Sequence, residues 1–165
     1  MNEKTSRTAL WWIWISVLVV LLDQYSKYWI TTHMQLHEAW DLMPSVRLFL
    51  GYNKGAAFSM LEGNPVLALY LFTSFATLVV LGLLFWLFCL SASSRLVSVG
   101  ITLILGGAVG NLIDRIRFGY VIDFIELYVQ DWHWPIFNVA DTAICIGAAI
   151  LAIDAIWLSA RRVKS

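Results

Sequence analysis

The sequence predicts an α-helical membrane protein, with four transmembrane helices and a small β element on one side of the membrane. Three observations lead there. The 165 residues are 60% hydrophobic and only 13% charged, whereas a soluble domain has about a quarter charged residues. Four apolar runs, at about residues 9–30, 66–90, 96–113 and 139–158, are each long enough for the roughly 20-residue helix that crosses a bilayer. The chain also carries nine Trp. Several of them fall near the ends of apolar runs, where an interfacial belt would place them.

The first run is too long for a cleavable signal peptide, and no small-x-small site follows it, so it is expected to stay as an anchor. Orientation follows from the basic residues near the span ends. Lys4 and Arg7 precede the first span, Arg95 lies in the short loop after the second, and Arg161, Arg162 and Lys164 follow the fourth. An even number of spans puts these segments on one side, assigned to the cytoplasm. The loops at 31–65 and 117–137 then face outward. Their own basic residues, Arg47, Lys54 and Arg117, are offset by Glu38, Asp41, Glu62, Asp123, Glu126 and Asp131. Neither loop is a plain linker. SVRLFLGYN reads as a short strand followed by a glycine turn at Lys54-Gly55, and GYVIDFIELYV is strand-like at its start. A small outer β element on the membrane surface is expected. No internal repeat or low-complexity segment appears, and residues 1–165 are expected to form one integral-membrane domain.

Several chemistries find little support. Formal net charge is +0, which gives no footprint for nucleic acid. Cys89 and Cys145 lie inside apolar runs without CxxC spacing and read as core or lipid-facing residues. His33, His37 and His133 fall in the outer loops without ligand spacing. No metal or cofactor is called for.

The informative residues are polar ones placed where they are costly. Asp23 and Lys27 sit four apart on the first span, acid first, which suits an ion pair on one helix face. A packing role and a substrate-binding role fit that pair equally. Asn111, Asp114 and Arg115 close the third span and can share a face. Gly106, Gly107 and Gly110, one to two turns earlier, would let a neighbouring helix come close. Asp114 and Arg115 read best as a structural brace, one that could still position a reactive group. Asn138, Asp141 and Thr142 open the fourth span. With Asn138 as N-cap, Asp141 falls at the third helical position, where a carboxylate is favoured by free N–H groups and by the dipole. Asp154, near the inner end of the fourth span, reads as structural or interfacial.

Asp123 and Asp141 gain meaning together. They flank the same short outer loop, 18 positions apart, both at the outer membrane boundary. Two carboxylates brought close cannot both ionise readily, so one keeps a proton near neutrality. Such a pair can serve as general base and general acid on one water. Other classes fit part of the pattern. An ion-coupled transporter would also place charges in spans, but no polar trail crosses to the inner side except Asp154, and no inverted repeat is present. An assembly subunit could use the polar residues as helix glue. An enzyme acting on lipid phosphates would call for a denser basic cluster.

Five blocks in order then resemble the bacterial lipoprotein signal peptidases, the signal peptidase II family. They are D-Q-Y-S-K at 23–27, Y-N-K-G-A-A-F-S at 52–59, G-G-A-V-G-N-L-I-D-R at 106–115, V-I-D-F at 121–124 and F-N-V-A-D at 137–141. The resemblance covers nearly the whole chain. It implies four transmembrane helices with a small extracytoplasmic β-cradle and a short outer helix, in the bacterial cytoplasmic (inner) membrane. It implies an aspartic endopeptidase that cuts diacylglyceryl-modified prolipoproteins just before the lipidated cysteine. Asp123 and Asp141 match the catalytic aspartates. Asn53, Asn111, Asp114, Arg115, Asn138, Asp23 and Lys27 match the polar residues around them. Substrate prolipoproteins, membrane lipid and globomycin-type cyclic peptide inhibitors are the partners it implies. Asn53 would orient the substrate backbone from a flexible loop. The first outer loop, with Gly51, Gly55 and Gly63, is expected to move as a lid.

Overall fold

The computed structural model describes residues 8–55, 64–91 and 93–162. Four long helices follow a short 3-10 turn, Ala9–Trp12: α1 (Ile13–His33), α2 (Pro65–Cys89), α3 (Arg95–Phe118) and α4 (Val139–Arg162). Each is long and apolar enough to cross a membrane. Their ends are chemically marked. The Asn64 side chain accepts the Leu67 N–H at 3.0 Å, with Pro65 at the first turn of α2. Gly119, at φ +79°, ends α3 in the left-handed conformation that favours glycine. That end lies five residues beyond the expected boundary at 113. Hydropathy treats Asn111, Asp114 and Arg115 as terminators, but their polar atoms find partners inside the bundle, so the helix continues. His33 likewise belongs to the last turn of α1 and not to the loop.

α3 is the hub. More than half of its apolar window is buried (56%), against 22% for α1, 6% for α2 and 17% for α4. The glycines explain the closeness. A Cβ on Gly106 would sit 2.9 Å from the Ser16 carbonyl oxygen of α1. One on Gly107 would sit 2.3 Å from the Ala140 carbonyl oxygen of α4, and one on Gly110 would sit 2.6 Å from Asp23 Oδ2. Leu87 of α2 and Ala9 pack on Ile101 of α3. Cys89 and Cys145 are exposed on the apolar helices, as expected.

Four antiparallel strands in the order β1-β2-β3-β4 cap one end of the bundle: β1 (Ala39–Met43), β2 (Val46–Asn53), β3 (Val121–Val129) and β4 (Trp132–His133). β2 and β3 were legible in the sequence; β1 and β4 were not. Leu50, Ile122 and Phe124 face the end of α1 and bury Ile30 and Met34. Alternation along the strand turns Asp123 and Val121 to the opposite face. The register pairs Gly51 with Asp123 and Asn53 with Val121. Gly51 is therefore buried strand, not a hinge: a Cβ there would lie 2.2 Å from Ile136 Cδ1. Gly55, at φ +89°, forms the turn after β2. Residues 56–63, which hold Gly63 and most of the expected lid, lie outside the described residues. The described residues of the two loops contain no helix of their own.

Gly107→Ala should destabilise the protein more than a change at Gly82, whose added Cβ would meet nothing within 4 Å. Overpacking of this kind costs about 1–3 kcal/mol, and here the obstacle is backbone. Thermal unfolding in detergent should show a clearly lower midpoint for Gly107→Ala and a midpoint near wild type for Gly82→Ala.

Candidate active site

Two elements deliver the two aspartates. Asp123 lies in the fully buried first half of β3, 1% exposed. Asp141 lies in the first turn of α4. Asn138 and Asp141 cap that helix reciprocally, as the three-residue spacing predicts. The Asp141 N–H donates to Asn138 Oδ1 at 2.9 Å, and the Asn138 N–H donates to Asp141 Oδ2 at 3.2 Å. The preceding loop is tied to β3: the Ile125 N–H donates to the Phe137 carbonyl at 2.8 Å, and the Phe137 N–H returns a bond to the Ile125 carbonyl at 3.0 Å. This pairing brings Asn138 against Asp123.

Three side-chain amides join the carboxylates. Asn138 Nδ2 donates to Asp123 Oδ1 at 2.7 Å and to Asn111 Oδ1 at 3.1 Å. Asn111 Nδ2 donates to Asp141 Oδ1 at 2.7 Å. Asn53 Nδ2 donates to Asp123 Oδ2 at 3.0 Å. Asn53 is thus the last residue of a paired strand, bound to Asp123, and not part of a flexible loop. Its Oδ1 also accepts the Gly55 N–H at 2.9 Å, which closes the turn. Burial raises the Asp123 carboxyl to about 7, with the nearby Asp141 charge adding to the effect; the Asn53 and Asn138 donors oppose it.

Beneath this layer lies a buried ionic cluster. Lys27 Nζ contacts Asp23 Oδ2 at 2.9 Å, Asp114 Oδ2 at 2.8 Å and Asn111 Oδ1 at 3.0 Å. The expected Asp23–Lys27 pair is present and has gained a second acid. Asp114 and Arg115, read as a joint brace, divide instead. Asp114 turns to α1 and also accepts the Ile122 N–H at 3.1 Å. Arg115 is half-buried and bonds the Asn111 carbonyl at 3.4 Å, within electrostatic reach of Asp141, Asp123 and Asp114. Consecutive helical residues point about 100° apart, so such a split is the ordinary result. Asp23 Oδ1 accepts the Ala140 N–H at 3.0 Å and so helps cap α4 from another helix. Sequence reasoning missed Gln24, whose Nε2 donates to Asp114 Oδ1 at 2.9 Å, to Asp23 Oδ2 at 3.2 Å and to the Gly110 carbonyl at 3.2 Å. An amide inside an apolar span beside Asp23 was the available signal. Asp154 is half-buried near the far end of α4. No group of three or more His, Cys, Asp or Glu suited to a metal occurs among the described residues.

The family profile for Signal peptidase (SPase) II matches residues 15–157. The chain belongs to the signal peptidase II family. Among its relatives is a lipoprotein signal peptidase from Coxiella burnetii (strain Dugway 5J108-111), 43% identical over 153 residues, 93% of this chain and 94% of that one. Another, from Acinetobacter baumannii (strain SDF), is 44% identical over 154 residues, covering 93% and 88%. Two solved structures, both described as bacterial membrane enzymes determined by the in meso method, share the fold. One superposes with a TM-score of 0.80 at 30% identity, covering 91% of this chain and 90% of that chain. The other gives 0.78 at 31% identity, covering 87% and 91%. With four spanning helices, the chain is a multi-pass bacterial membrane protein and a peptidase of the signal peptidase II family.

The Asp123 carboxyl links pH to stability. Its folded value, about 7, lies above the ordinary 3.8, so between those values the folded state holds a proton that the unfolded chain has lost. Stability from this group is present at low pH and falls as pH rises from about 4 to 7, by at most about 4 kcal/mol. Melting curves across that range should show a decline in wild type that Asp123→Asn removes. A wild-type decline of the same size in the variant would assign it to another group.

Proposed function

We propose that this signal peptidase II removes signal peptides from diacylglyceryl-modified prolipoproteins, cutting on the N-terminal side of the lipidated cysteine with Asp123 and Asp141 as its catalytic pair. One observation carries the reading: a carboxylate from β3 and one from the start of α4 are joined through the Asn111 and Asn138 amides at the end of an apolar bundle. A lipid-anchored cysteine holds the adjacent peptide bond close to the membrane surface, and a pair at a helix end meets it at that depth. Both termini are assigned to the cytoplasm and the pair to the extracytoplasmic face of the inner membrane. Globomycin-type cyclic peptides would compete for the same site.

The chemistry uses one water. One carboxylate takes a proton from water as its oxygen attacks the scissile carbonyl carbon. The partner carboxyl gives its proton to the carbonyl oxygen, which forms a gem-diol. The amide nitrogen then takes a proton from the pair, the C–N bond breaks as one gem-diol hydroxyl returns its proton to the pair, and the new acid and amine leave. The pair ends with one proton, as it began. Asp123, raised to about 7, is the member that keeps a proton near neutrality; the order of transfers is a property of the pair. Arg115 lies within electrostatic reach of both carboxylates, and Asn53 holds the Asp123 oxygen that Asn138 does not.

A cleavage assay on purified protein in detergent tests this. The substrates are a prolipoprotein carrying diacylglyceryl-cysteine and the same chain unlipidated. Wild type should cut only the lipidated form. Asp123→Asn and Asp141→Asn, folded by melting midpoint, should lose activity by about three orders of magnitude or more. A folded variant with near-wild-type turnover would sink the two-aspartate mechanism.

The pH profile provides a second check. Because the pair needs one proton, kcat/KM should decline above about pH 7, where Asp123 gives up its own. Undiminished activity well above that point would rule out a proton shared by the pair.

A further inference from the structure

Asn111 sits between the ionic cluster and the carboxylate pair, and its amide is asymmetric: one end only donates, the other only accepts. Its Oδ1 accepts from Lys27 Nζ at 3.0 Å and from Asn138 Nδ2 at 3.1 Å, while its Nδ2 donates to Asp141 Oδ1 at 2.7 Å. We propose that Lys27 is a positioning residue for the catalytic pair: an obligate donor, it fixes which end of the Asn111 amide faces Asp141. The inference rests on the reading of Asp123 and Asp141 as that pair.

An ammonium has three donors and no acceptor. If the Asn111 amide turned over, its NH2 would point at Lys27, donor against donor. Lys27 would keep Asp23 and Asp114 but lose its third acceptor, and the buried NH2 would have none there, a costly arrangement. The same turn would aim Oδ1 at Asp141, where an acceptor is tolerated only if Asp141 carries the proton. Lys27 therefore keeps a donor, and not an acceptor, facing the Asp141 carboxylate. Asn138 supports the same orientation less strongly. Its own amide is fixed by the Asp141 N–H on Oδ1, and its two Nδ2 hydrogens serve three acceptors: Asp123 Oδ1, Asn111 Oδ1 and the Ile122 carbonyl, the last at 3.2 Å.

Lys27 is placed for this task. It is 2% exposed and held by Asp23 on its own helix and Asp114 on α3. Asp23 is in turn bound to the Ala140 N–H of α4, so the ammonium is fixed relative to all three helices. It acts through Asn111, and its contacts go to Asp23, Asp114 and Asn111 and not to Asp123 or Asp141, which makes it a positioning group. The charged groups within electrostatic reach of the pair are Lys27 from α1 and Arg115 from α3, with Asp23 and Asp114 facing Lys27 itself. β2 contributes the Asn53 amide.

The test uses two variants of the full chain in detergent, with the lipidated prolipoprotein as substrate. Lys27→Met/Asp114→Asn removes one positive and one negative charge, so the cluster keeps its net charge and Asp23 keeps the Ala140 N–H. Its kcat should fall about 10- to 100-fold with KM within about threefold, and the acid limb of its kcat/KM profile should move up by about one pH unit, since the pair has lost an oriented donor. A purely structural role would lower the melting midpoint and leave the profile of the folded enzyme in place. Asn111→Asp keeps oxygen acceptors for Lys27 and Asn138 but turns an acceptor toward Asp141; kcat should drop about a hundredfold or more. Wild-type kcat and pH profile in the folded double variant overturn the proposal. Should the double variant not fold, Asn111→Asp decides: near-wild-type turnover overturns the proposal, and loss of turnover in folded protein supports it. If Asp123→Asn or Asp141→Asn stays active, the pair itself has been misread; if both are inactive while the double variant behaves as wild type, only the role of Lys27 falls.

Discussion

An ammonium inside an apolar bundle is tolerated only when acceptors surround it, and Lys27 draws its acceptors from Asp23, Asp114 and Asn111. These lie on two helices, so satisfying one cation sets how α1 meets α3. Asp23 extends the constraint to α4 through the Ala140 N–H, and Asp114 extends it to β3 through the Ile122 N–H. Four of the elements that meet at the candidate site, α1, α3, α4 and β3, are thus registered by one connected set of bonds. Helix packing in lipid has little hydrophobic drive of its own, so this polar set and the close glycine contacts together specify the arrangement. Gly110 serves both, since the space its missing Cβ leaves is taken by the Asp23 carboxylate.

Much of this was legible because it is local. The three-residue spacing of Asn138 and Asp141 is the spacing of a reciprocal cap. The four-residue spacing of Asp23 and Lys27 is that of a helical ion pair. Alternation in SVRLFLGYN and the strand-like start of GYVIDFIELYV marked the two central strands. What stayed hidden depends on long-range geometry. Nothing in the spacing of Asp23 says that it caps a helix 117 positions later. Adjacent Asp114 and Arg115 could be assigned to one brace because sequence does not fix how a helix is rotated about its axis. β1 is exposed along its length and β4 has only two residues, so neither carries a pattern. Asn53 looked like loop because Gly51 and Gly55 flank it. Gly51 is small for another reason, to admit Ile136.

The sheet is stiffened away from the candidate site as well. Arg47 on β2 bonds Glu126 on β3, and His133 on β4 reaches the same carboxylate at 2.9 Å. Burial pushes the Glu126 carboxyl up, but the Arg47 and His133 bonds outweigh it and hold the group below its ordinary range. One acid therefore ties three strands together with charged partners. Asp123 lies three residues earlier on the same strand and follows the opposite electrostatic course, toward a retained proton.

That contrast separates two kinds of buried carboxylate here. Asp23 and Asp114 share an ammonium, an arrangement that suits a structural part. Asp123 and Asp141 have no cation within salt-bridge distance among the described residues. Each of their four oxygens instead accepts one neutral amide donor: Asn138 and Asn53 Nδ2 on Asp123, Asn111 Nδ2 and the Asn138 N–H on Asp141. A neutral donor orients a carboxylate without fixing its charge, so a proton can enter and leave at a modest cost. A directly paired cation would oppose protonation. Pre-set dipoles also need no rearrangement when charge moves between the two groups during a reaction. The amides of Asn53, Asn111 and Asn138 thus do what an arginine clamp could not. They hold two acids still, and in the proposed mechanism they leave a proton free to shift between them.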